Sequence, residues 1–253
     1  MDWEKEFSRA DLKAFYDRVR KSIWWEVFLG GAFFLAIWFL MTWQISFILM
    51  GAVGVHEYGH MWAMKRYGLT NVRFHFIPFL GGVTIGEGKY PSQKRAASAV
   101  LMGPVFGLFP APILLAVALL TSSPSIAAMS IVVAFLSLFN LFPFMPLDGG
   151  KIVALIAASE GKSAERAIHG VIFVSGLVLA ITLDSLFLIM IAVIGSVFFG
   201  RRPTEDLIAP KMNRKEAIAT FAAYFGVGLV SILLVAVAMS VEGISDALDV
   251  LLG

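Results

Sequence analysis

All 20 lysines and arginines of this 253-residue chain fall into four clusters, at 5–21, 65–95, 151–166 and 201–215, and the long stretches between them are overwhelmingly apolar. An apolar run of about 20 residues, as a helix, matches the hydrocarbon thickness of a bilayer. Seven such runs are read here, at roughly 23–43, 45–64, 96–120, 126–147, 167–182, 185–200 and 217–241. The fifth and sixth are short. Merged, they would exceed 30 residues with Asp184 in the middle, so a hairpin turning at Asp184 is expected. With an inside N-terminus, seven spans place every lysine and arginine on the cytosolic side. The opposite segments (Gln44, Thr121–Ser125, Asp184 and the tail after Val241) hold none, a complete positive-inside pattern. Merging runs five and six would move Arg201, Arg202, Lys211, Arg214 and Lys215 outside. The expected fold class is therefore a membrane all-α, polytopic bundle of about seven transmembrane helices.

Composition agrees. Hydrophobic residues make up 58% and charged residues 15%, whereas soluble domains carry about a quarter charged. The net charge of +2 says little about partners. The absence of cysteine excludes disulfides and thiolate ligands, so a metal here would be held by nitrogen and oxygen. The first apolar run exceeds a typical signal h-region and is expected to be an uncleaved anchor. Before it, Trp3, Phe7, Phe15 and Val19 fall mostly four apart. This spacing suits an amphipathic helix on the cytosolic membrane surface over 1–22, with a charged terminus lacking fixed structure as the alternative. Only 65–95 and 201–216 leave room for much structure between spans. Within the former, Asn71–Glu87 reads NVRFHFIPFLGGVTIGE. Its β-branched and aromatic residues around Gly81-Gly82 predict a β-hairpin at 71–87 on the cytosolic side of the second span, with Pro78 at an edge or bend.

The second run contains His56-Glu57-Tyr58-Gly59-His60. Residues four apart share a helix face, so both imidazoles can reach one metal, and Glu57 stands beside them where it can take a proton from water. Ionisable groups within an apolar span are costly and mark function by default, against the alternative of a polar patch between helices. A catalytic zinc needs a third protein ligand. Asp148 is the best placed: it lies three residues before Lys151, and His60 lies five before Lys65, about 7–8 Å of helix. Both sit at similar depth below one face. Glu26, Asp184 and Glu87 fit less well but are not excluded by the residues alone. Pro143 and Pro146 break the fourth run just before Asp148. Unwound backbone at that depth survives only buried in protein or lining a wet cavity, and Gly149-Gly150 permits close backbone approach.

These motifs resemble the site-2 protease family of intramembrane zinc metalloproteases, peptidase family M50. The likeness rests on His56-Glu57-x-x-His60 and on Asn140-x-x-Pro143-x-x-Pro146-Leu147-Asp148-Gly149-Gly150 two spans later, with Gly103-Pro104 and Gly81-Gly82 as weaker elements. It covers about 45–150. The resemblance implies that His56, His60 and Asp148 bind one Zn²⁺, that Glu57 is the catalytic base, and that Asn140 helps hold the substrate. Capping of unwound backbone is the alternative role for Asn140. Relatives often carry a polar residue, commonly asparagine, three positions after the proline of Gly-Pro, where this chain has Gly107. The expected division is a cytosolic segment 1–22, a catalytic core 23–150 and C-terminal helices 151–253. The expected partners are a transmembrane protein substrate and the lipid bilayer of a prokaryotic plasma membrane, with no nucleic acid.

Competing readings are a zinc-holding scaffold that no longer cleaves, a metal transporter, and a zinc peptidase with glutamate as third ligand. Intact Glu57, apolar outer halves of the spans and the lack of a well-placed second glutamate stand against them in turn. His75 and His169 read as structural or interfacial. Trp24, Trp25, Trp38, Trp43 and Trp62 read as interfacial anchors or packing.

Overall fold

The computed structural model describes residues 23–77, 81–182 and 210–252. Among these, the chain forms α1 (Ile23–Leu40), α2 (Trp43–Arg66), β1 (Thr70–Ile77), β2 (Gly81–Glu87), α3 (Gln93–Leu108), α4 (Pro110–Thr121), α5 (Pro124–Asn140), α6 (Asp148–Glu160), α7 (Lys162–Thr182), α8 (Arg214–Ala238) and α9 (Ile244–Leu252). The described residues are mostly helical, with one two-stranded antiparallel sheet. The segment 1–22, Pro78, Asp184, the run 185–200, Arg201 and Arg202 lie outside the described residues.

Small side chains set how closely the helices approach. One buried cluster joins Ile45, Ala118, Ala127 and Ala128 to Ile244 and Leu251, seating α9 on α2, α4 and α5. A second joins Ala52 and Leu108 to Ala111, Val133 and Ala134. Alanine and glycine at contacts let backbones come together where bulkier residues would hold them apart. Gly59 is the sharpest case, because a Cβ there would collide with the carbonyl of Met102 on α3. Among the described residues, two helical stretches are long and apolar enough to cross a membrane, Gln93–Thr121 (α3 running on through α4) and Arg214–Ala238, with shorter apolar helices at Val27–Leu40 and Pro124–Asn140.

The third run is divided just ahead of Pro110. Phe109 separates α3 from α4, and Pro110 opens α4 at a position whose missing N–H costs nothing. The fourth run ends as a helix at Asn140, and 141–147, with both prolines, is not helical. Three features depart from the sequence reading. The segment 151–166 holds most of α6 and the start of α7 rather than a short connection, because Ile152 and Leu155 bury against Leu101, Leu141, Ala96 and Ala97. The tail beyond Val241 forms α9. Helix α8 begins at Arg214, ahead of the run at 217, because Asn213 and Glu216 form a reciprocal capping box that satisfies its first N–H groups.

The hairpin pairs Phe74 with Thr84, His75 with Val83 and Phe76 with Gly82. Gly81 and Gly82 thus lie inside β2 rather than at the turn. Packing requires Gly82: a Cβ there would strike the Phe74 ring and the Glu57 side chain.

Candidate metal centre

Helix α2 carries His56, Glu57 and His60 on successive positions of one wall, and α6 begins at Asp148 directly opposite. The first turn of α6 is pressed against the unwound 141–147 segment. A Cβ on Gly149 would collide with the Leu141 carbonyl, and one on Gly150 with backbone atoms of Phe144 and Met145. The Leu141 carbonyl in turn accepts the Tyr224 hydroxyl of α8 at 2.5 Å. Asp148 is therefore placed by packed backbone on one side and a cross-helix hydrogen bond on the other.

Three donor atoms converge. His56 Nε2 lies 2.9 Å from Asp148 Oδ2, His60 Nε2 lies 3.0 Å from the same oxygen, and the two Nε2 atoms are 3.2 Å apart. Donors about 2 Å from a tetrahedral ion stand roughly 3.3 Å from one another, so this triangle fits zinc. Among the described residues, His56, His60 and Asp148 are the one group of histidine and carboxylate side chains able to hold a metal. His56 and Asp148 are 4% and 3% exposed, which shields the site from bulk water. His60 Nδ1–H donates to the Ala99 carbonyl at 3.0 Å, fixing the tautomer that leaves Nε2 facing Asp148. Gly103 gives the imidazoles their space: a Cβ at that position would collide with the His60 ring and crowd His56 Nε2. Gly103, the first residue of the Gly103-Pro104 pair, thus has a steric role at the centre itself.

Glu57 is buried beside the triangle. Its Oε2 accepts the Thr84 hydroxyl of β2 at 2.6 Å. Asn140 lines the same cavity, and its side-chain amide donates to the Leu136 carbonyl at 3.0 Å, one turn back in its own helix. That contact lies at the C-terminal end of α5. The cavity has a volume of about 440 Å³ and reaches from the triangle past Thr84 and Tyr90 to Lys151. It has room for on the order of ten waters. Burial pushes the Tyr90 phenol up to about 12, so its hydroxyl stays neutral at the cavity wall.

The remaining candidates lie elsewhere or beyond description. Glu87 is exposed and accepts the Asn71 amide at 2.7 Å. His75 faces Val83 across the hairpin. The side chains of Glu26 and His169, and Asp184 altogether, lie outside the described residues. Gly107 abuts His56. A Cβ there would stand 3.1 Å from His56 Cβ and Nδ1, so a longer side chain does not fit without movement. Sequence reasoning missed Thr84 and Lys151. Lys151 served only as a topological marker, yet its Nζ donates to Asp148 Oδ1 at 2.9 Å. Recognising a helix that starts at Asp148 would have exposed this i, i+3 pair.

Fold and site together define a helical protein in which two histidines and one carboxylate form a buried group able to hold a metal, with a second carboxylate beside it. Peptidase family M50 matches residues 44–129 and 120–183. The chain belongs to that family. It is 29% identical over 175 residues to the zinc metalloprotease MJ0392 of Methanocaldococcus jannaschii, covering 66% of this chain and 51% of that protein. It is 28% identical over 166 residues to Rip3 of Mycobacterium tuberculosis, covering 53% of this chain and 42% of that protein. The chain spans about half the length of the curated relatives it matches. No solved structure matches it.

Proposed function

We propose that this protein is an intramembrane zinc metalloendopeptidase of the site-2 type, hydrolysing peptide bonds within or near the transmembrane segments of other membrane proteins. The observation that carries this is the convergence of His56, His60 and Asp148 within 3.2 Å, with Glu57 buried beside them. A scaffold that only retains zinc has no use for a base held in place by its own hydrogen bond.

Zinc bound there supplies Lewis acidity, making water a better nucleophile near neutral pH and polarising the scissile carbonyl. His56, His60 and Asp148 hold it and leave one side open to the cavity. Glu57 Oε1 takes the proton from the attacking water and passes it to the leaving amine nitrogen. Thr84, bonded to Oε2, keeps that carboxylate turned toward the cavity. Asn140 gives one amide hydrogen to Leu136, which leaves its carbonyl oxygen and second amide hydrogen for the substrate chain.

The substrate is a transmembrane helix whose carbonyls are hidden in its own hydrogen bonds, so it unwinds before cleavage. Strand β2 lines the cavity at Gly82, Val83 and Thr84, and its outer edge pairs with no strand among the described residues. The unwound segment adds there as a third strand, recovering the hydrogen bonds it lost. Favoured substrates carry weak, Gly- or Pro-containing stretches near the cytosolic face. The setting is a multi-pass protein with seven spans and its N-terminus and metal site toward the cytosol. The arrangement of lysines and arginines supports this, as do the outward apolar faces of α7 and α8, including Val171, Val174, Val178, Phe221, Phe225 and Leu229. The role is proteolysis of membrane proteins under regulation.

Co-expression with a panel of single-span reporters tests the proposal, comparing wild type with Glu57→Gln and measuring zinc in both. Reporter cleavage lost at full zinc content is the expected result. Equal processing by both forms refutes the enzyme.

A further inference from the structure

The two oxygens of Asp148 are divided between different partners. Oδ2 faces the imidazoles, 2.9 Å from His56 Nε2 and 3.0 Å from His60 Nε2. Oδ1 accepts the Lys151 ammonium at 2.9 Å. Both side chains issue from the first turn of α6, three residues apart, and that turn is immobilised by Gly149 and Gly150 against the backbone of 141–145. The pairing is therefore set by the helix rather than by a long side chain finding a chance partner on the surface. Asp148 is 4% exposed in its side chain and Lys151 39%, so the ammonium reaches inward from the cavity wall to the far side of the carboxylate.

A carboxylate can ligate a metal through one oxygen or through both. The choice matters at a catalytic centre. Three protein donors leave a tetrahedral ion one position for water, whereas a second oxygen from the same aspartate fills or crowds that position. Rotation of the Asp148 carboxylate to present both oxygens would cost the charge-assisted hydrogen bond to Lys151. Ligating groups are commonly oriented by outer partners, and the described structure gives His60 such a partner in Ala99.

We propose that Lys151 is a positioning residue that holds Asp148 to one-oxygen coordination and so keeps a coordination position available to water; this rests on the metal-centre reading above. It acts through Asp148 rather than as a ligand itself.

Cobalt(II) loaded into the purified full-length protein reads the coordination number directly, because four-coordinate cobalt absorbs visible light several-fold more strongly than five-coordinate cobalt. Wild type and Lys151→Arg are expected to show the strong four-coordinate bands at one cobalt per chain. Lys151→Met is expected to bind cobalt with bands several-fold weaker. Wild-type bands in Lys151→Met overturn the assignment. Should that variant fail to fold, X-ray absorption of the zinc-loaded wild type decides alone: a shell of four light neighbours supports the assignment and a shell of five overturns it. A wild type that takes up neither metal overturns the metal centre itself and this assignment with it.

Discussion

Thr84 shows how one hydroxyl on a strand can govern a carboxylate on a helix. Its Oγ1 stands 2.6 Å from Glu57 Oε2, and hydrogen bonds to charged groups contribute about 1.5–3 kcal/mol. Thr84→Val keeps the shape and removes the donor. It should lower kcat roughly tenfold or more, with zinc content unchanged by metal analysis. Gly103→Ala makes the opposite separation: a Cβ would enter the space of both imidazoles, so the purified protein should contain little zinc while remaining folded by circular dichroism. At this scale the sequence was most legible for His56, His60 and Asp148, because HExxH spacing on a helix and depth below one membrane face both follow from chain geometry. Thr84 and Lys151 were not legible. The partner of each is determined by tertiary packing or by a helix start that the apolar pattern does not announce.

Among the elements, β2 and the chain before α8 carry the strongest consequences. Prolines at Thr84 and Gly86 remove two strand donors, and reporter cleavage should fall well below that of Thr84→Val with zinc retained; cleavage equal to Thr84→Val would show that only the hydroxyl matters. The start of α3 is clasped to the segment ahead of α8. The Gln93 backbone N–H donates to the Pro210 carbonyl at 3.1 Å, its side-chain oxygen accepts the Met212 N–H at 3.0 Å, and the Lys211 ammonium reaches the Ala158 carbonyl at 3.1 Å. Gln93→Leu leaves a buried N–H unpaired at a cost of about 1–3 kcal/mol, and unfolding in detergent should begin several degrees lower. Boundaries were the least legible feature here. Helices α6 and α9 and the early start of α8 are held by capping and by a few buried side chains such as Ile152 and Ile244, signals too local for a hydropathy reading.

The whole molecule offers a clean test of its orientation, because the chain contains no cysteine. Single cysteines at exposed Ser122 and Lys89 should react oppositely with a membrane-impermeant maleimide. Ser122→Cys should label on intact cells and Lys89→Cys only after the membrane is opened; the reverse pattern would invert the proposed topology. Helices α1, α2, α5 and α8 were legible as apolar runs, but the division of the third run at Phe109–Pro110 was not. One further consequence follows from where the ligands come from. His56 and Asp148 are 92 residues apart in sequence, so an ion gripping both ties a long stretch of chain into a closed ring. Such a tie acts as a staple as well as a reagent: stripping the metal with a chelator should make the detergent-solubilised protein melt earlier, and readdition should restore it.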